Sequence, residues 1–113
     1  MHYRAPIRVI IESPYAGDIS RNELYARRAL ADSISRGEAP FASHLLYTQP
    51  GVLDENDPAQ RALGIELGYT WMSVASLVVF YIDYGMSPGM YKAEGKAAFL
   101  SIPIEKRTIG ENP

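Results

Sequence analysis

The sequence predicts an α/β fold, a three-layer sandwich of about four parallel strands joined by three crossover helices. Three observations carry this prediction. Four short apolar runs punctuate the chain, three stretches of helical periodicity separate them, and each helical stretch opens on a capping signal. Alternation of strand and helix marks parallel strands linked by right-handed crossovers, and such a sheet carries helices on both faces.

The first run, IRVII at 7–11, predicts a strand that breaks at Ser13-Pro14. Ser20 with Glu23 three residues on reads as a capping box, and Leu24, Ala31 and Ile34 then form one stripe before Gly37 stops the helix. The run APFA at 39–42 predicts the second strand. After it comes SHLLYTQPGVLDEND at 43–57, a long connection of the kind that carries binding residues or a lid. Asp57-Pro58 supplies a cap followed by proline in the first turn, with Leu63, Leu67, Trp71 and Val74 as the expected buried stripe. SLVVFYI at 76–82 is nearly continuous in β-branched and aromatic residues, as suits a strand covered on both faces. Ser87-Pro88 repeats the capping device ahead of a stripe of Met90, Ala93, Ala97 and Leu100, and IPIEKRTI at 102–109 predicts the last strand.

Composition narrows the function classes. At 113 residues the chain is read as one domain, 1–113, and its 47% hydrophobic and 21% charged residues are ordinary for a globular protein. A formal net charge of −2 argues against gripping a long nucleic acid by its phosphates, while one nucleotide needs no basic face. The absence of cysteine excludes disulfides and thiolate chemistry, and with only two histidines no metal or other cofactor is expected. The opening MHYRAPIRVI lacks a secretory core, and the apolar run at 74–82 is too short to span a bilayer, so a cytoplasmic protein without a membrane partner is expected.

In a parallel sheet, ligands sit at the carboxyl ends of the strands, which places the candidate residues in the loops at 13–19, 43–57 and 83–87. Ser13, Tyr15, Gly17 and Asp18 shape the first, where a helix start can hold an anion, with Arg21 in the first turn to reach a phosphate. Asp83 closes the most apolar strand, and Ser87, Gly89 and Met90 follow it into the last helix. His44 follows the second strand and can bond a base or donate a proton. Glu94 lies one turn beyond Met90, while Glu12 and Glu66 are fallback carboxylates. Tyrosines near this edge can stack a base or pack at a subunit interface.

VIIESPYAGD, RNELYARRAL, GEAPFASHLLY and VVFYIDYGMSPGM together resemble small phage and bacterial proteins related to nucleoside 2-deoxyribosyltransferases. The resemblance implies a flavodoxin-like or Rossmann-like fold, a nucleoside or nucleotide pocket, a homo-oligomer, and cleavage or transfer at an N-glycosidic bond through a glutamate. It makes Tyr15 the residue near the sugar, Asp83 the contact to base or sugar, and Gly89-Met90 the start of the catalytic helix. The family's glutamate follows that glycine by four positions. Here Ala93 holds that place, and Glu94 is one residue, about 100° of helix, further on. The alternatives are a nucleotide-binding sensor or sequestering module without turnover, and an assembly protein that retains the fold.

Overall fold

The computed structural model describes residues 5–110, so the reading of the opening MHYRAPIRVI falls partly outside the described residues. Four strands, β1 (Arg8–Glu12), β2 (Ala39–Phe41), β3 (Leu77–Tyr81) and β4 (Ile104–Arg107), form one sheet in the order β2-β1-β3-β4, parallel at every pairing. Helices α1 (Ile19–Ser35), α3 (Pro58–Met72) and α4 (Pro88–Phe99) make the crossovers, and a single turn, α2 (Ser43–Leu46), opens the long middle connection. The expected three-layer α/β sandwich is therefore the fold. Among the described residues no helix is long and apolar enough to cross a membrane.

The core divides by sheet face. Val9, Ile11, Val79 and Tyr81 pack with Tyr25 and Ala29 of α1, while Ile10, Val78 and Phe80 pack with Met72 of α3 and with Met90, Ala93 and Ala97 of α4. Because β1 sends its connection to one face and β3 to the other, the strand order reverses between them. That reversal opens a crevice at the carboxyl ends of β1 and β3.

Helix α4 follows its sequence signal: Ser87 caps it, Pro88 fills the first turn, and Met90, Ala93 and Ala97 are buried. The other two long helices do not bury the expected stripes. Helix α1 is capped by Asp18, whose carboxylate accepts from the Arg21 amide at 3.1 Å, so Ser20 falls inside the helix. Its buried side is Asn22, Tyr25, Ala26, Ala29 and Ser33, leaving Leu24 and Ile34 46% and 61% exposed. The polar members determine this rotation. The Asn22 amide donates to the carbonyls of Tyr15 and Ala16, and the Ser33 hydroxyl donates to Glu38. Gly37, at φ +80°, ends the helix as expected.

Helix α3 starts at the predicted Asp57-Pro58 but buries Gly64, Gly68 and Met72, while Leu63, Trp71 and Val74 face outward. The glycines let α2 and its connection lie close: a Cβ on Gly68 would stand 2.8 Å from Ser43 Oγ. Close approach of the backbone decides the rotation of α3, and the larger apolar residues turn away.

Candidate functional site

A cavity of about 320 Å³ occupies the crevice. Its size is at the small end of ligand pockets, which run from about 300 to 1,000 Å³. The end of β1 and the following loop supply Glu12, Ser13 and Tyr15; α2 supplies Ser43 and His44; α3 supplies Gly68 and Tyr69; the start of α4 supplies Ser87, Gly89, Met90 and Ala93. Glu55, Arg61 and Lys92 bring charge to it.

Tyr15 and His44 stack at 5.9 Å between ring centroids with 24° between planes. Ser13 Oγ lies 3.0 Å from His44 Nε2, fixing the ring from its edge. Burial pulls the His44 pKa down to about 4, so the imidazole is neutral at physiological pH and acts as a hydrogen-bonding group.

Glu12, a fallback carboxylate in the sequence, also lines the cavity. It shares a sheet face with Ile10 by strand alternation, which turns it toward α3 and α4. Burial pushes its pKa up to about 7. Among the described residues it forms no hydrogen bond or ion pair, and no fully buried polar side-chain atom lacks a partner, so the Glu12 oxygens open onto the cavity. The Tyr69 phenol is raised by its own burial first and by the Glu12 charge second, which puts the two groups in one field. The available signal in the sequence was a carboxylate ending an apolar strand at the ligand edge.

Of the site residues expected from sequence, Ser13, Tyr15, His44, Ser87, Gly89 and Met90 line this cavity. Five others lie outside its lining. Glu94 pairs with Lys106 of β4 at 3.1 Å, while Ala93, one position earlier, faces the cavity, as the helical turn per residue requires. Asp83 accepts from the Tyr25 hydroxyl at 2.6 Å and from the amides of Ile109 and Gly110, so its carboxylate clamps the chain after β4 against α1. The Arg21 guanidinium donates to Asn22 Oδ1 and stacks 4.1 Å over the Tyr84 ring, held on the α1 side of the sheet. Asp18 is spent as the α1 cap, and Gly17 turns the loop at φ +99°. Glu66 is exposed on α3.

The chain is thus an open parallel α/β protein with a small, partly apolar cavity at its topological switch point. The chain belongs to the family described as "Domain of unknown function (DUF7768)", whose model matches residues 7–107. No curated protein sequence matches it. It is similar to a solved structure reported for the 2-deoxyribosyltransferase of the psychrotolerant bacterium Bacillus psychrosaccharolyticus. That likeness has a TM-score of 0.60 and 14% identity, covers 94% of this chain and 76% of the other, and concerns the fold.

Proposed function

We propose that the protein binds a nucleoside or nucleotide in the switch-point cavity and acts at its N-glycosidic bond, by hydrolysis or by transfer of the sugar. The observation that carries this reading is the combination in one cavity of a stacked Tyr15-His44 pair, hydrogen-bonding edges at Ser13 and Ser87, and a Glu12 carboxyl without a partner among the described residues. The aromatic pair offers a flat surface to a base, and the fixed hydroxyls offer donors and acceptors to a sugar. The similarity in fold to a 2-deoxyribosyltransferase supports the same ligand class. Tyr15 and Met90 pack on the ligand, while Glu94 ties α4 to β4 and Asp83 ties the chain after β4 to α1.

A second reading, binding without turnover, is favoured by one observation: Ala93 faces the cavity and Glu94 is committed to Lys106. One experiment tests both. The protein is incubated with a panel of nucleosides and 5′-monophosphates, with thermal shift recording binding and chromatography recording free base. Stabilisation with base release supports the first reading, and stabilisation with intact ligand supports the second. No stabilisation at millimolar ligand refutes both.

A further inference from the structure

We propose that Glu12 is the general acid of this site, delivering its proton to the departing base as the N-glycosidic bond breaks. The inference rests on the nucleoside reading above. Its geometric basis is where Glu12 stands and what surrounds it. The side chain leaves the carboxyl end of β1 on the face covered by α3 and α4, and enters the cavity beside Met90 and Ala93. No arginine, lysine or backbone amide among the described residues holds its oxygens. A carboxylate that must stay ionised as a nucleophile gains from such donors, whereas a carboxylic acid that must keep its proton gains from their absence.

The titratable and charged groups brought to the cavity are Tyr15 from the first loop, His44 from α2, Glu55 from the middle connection, Arg61 and Tyr69 from α3, and Lys92 from α4. His44 is neutral near pH 7, and Arg61 lies 3.9 Å from Glu55. Burial is accordingly the dominant influence on Glu12 and raises its pKa to about 7. A group titrating there holds a proton to give and can recover it within one cycle.

The electron pair of the C1′–N bond leaves with the base, the Glu12 proton neutralises the base, and a sugar cation remains. Water then bonds to C1′ and loses a proton to the Glu12 carboxylate, which restores the acid. A second base in place of water gives transfer by the same proton path.

The test compares leaving groups. Wild type and Glu12→Gln are assayed with guanosine and 2′-deoxyguanosine and with their 7-methyl derivatives, whose base departs without a proton. For a pyrimidine substrate the pair is 2′-deoxyuridine and its 5-fluoro derivative, whose base leaves more readily. The substitution is expected to slow release of the ordinary base by about 100-fold or more while leaving the activated analogue within about tenfold of wild type. Wild-type release of the ordinary base is expected to decline as pH rises through about 7. Equal losses on both members of a pair, or no loss on either, overturn the acid assignment. So does a wild type that is stabilised by these nucleosides yet releases no base. If none of them stabilises the wild type, the nucleoside reading itself falls, an outcome distinct from the failure of the acid role.

Discussion

Replacing Glu12 by glutamine has a consequence for stability that needs no substrate. The carboxyl has an ordinary value of 4.5 and is raised to about 7 in the fold by burial. Between these values the native state binds more protons than the unfolded chain, so stability falls as pH rises across the window and stays low above it. Below pH 4.5 both states are protonated and the penalty vanishes. At 1.36 kcal/mol per tenfold change in proton affinity, the full displacement corresponds to about 3 kcal/mol, and water reaching Glu12 through the cavity reduces this to about 1–3 kcal/mol. Glu12→Gln keeps the shape and removes the charge. Urea unfolding at pH 4, 6 and 8 should therefore show variant and wild type nearly equal at pH 4, with the variant more stable by about 1–3 kcal/mol at pH 8. A difference that is independent of pH, or a variant less stable at pH 8, would refute the claim that an ionised Glu12 is poorly solvated in the fold.

Three further outcomes follow from the packing. Gly68→Ala places a methyl 2.8 Å from Ser43 Oγ; chemical denaturation should show a loss of about 1–3 kcal/mol, and calorimetry a weaker nucleoside affinity because Ser43 adjoins His44. Arg107, 8% exposed, holds Glu38 through two hydrogen bonds at 2.8 and 2.7 Å and keeps the Glu38 carboxyl below its ordinary value. Removing either partner should cost about 3–5 kcal/mol in equilibrium unfolding. The charge-dependent part of that stability is present above pH 4.5 and lost as pH falls through the lowered value, so Glu38→Gln should flatten the acid limb of the stability profile. Asp83→Ala deprives the Tyr25 hydroxyl and two amides of their acceptor and should cost about 3 kcal/mol. Nucleoside affinity measured by calorimetry should be retained, and its loss would return Asp83 to the site.

The order of elements was legible because strands and helix starts depend on local chemistry. The four apolar runs and the Asp57-Pro58 and Ser87-Pro88 caps stand where the strands and two helices begin. Helix rotation was legible only in α4, where the small apolar residues that pack on the sheet are also the apolar pattern. In α1 and α3 the sheet-facing positions hold asparagine, tyrosine, serine and glycine, chosen for hydrogen bonds or close approach, and hydrophobic periodicity cannot see them. The cavity's address followed from the alternation of elements, and its loops supplied six of the expected lining residues. The two strand-end carboxylates were harder to separate. Asp83 and Glu12 both end apolar runs, and only the strand order and the face taken by each connection turn Asp83 to Tyr25 and Glu12 to the cavity.

The central claim, that the switch-point cavity is the nucleoside site, is tested most directly by calorimetric titration of nucleosides and 5′-monophosphates into wild type and into Ala93→Leu, which fills the cavity from its α4 wall. Saturable binding to the wild type, and its loss in a variant that still unfolds cooperatively, is the expected result. Binding of equal strength to both proteins would place the site elsewhere, and no binding to the wild type would contradict the account outright.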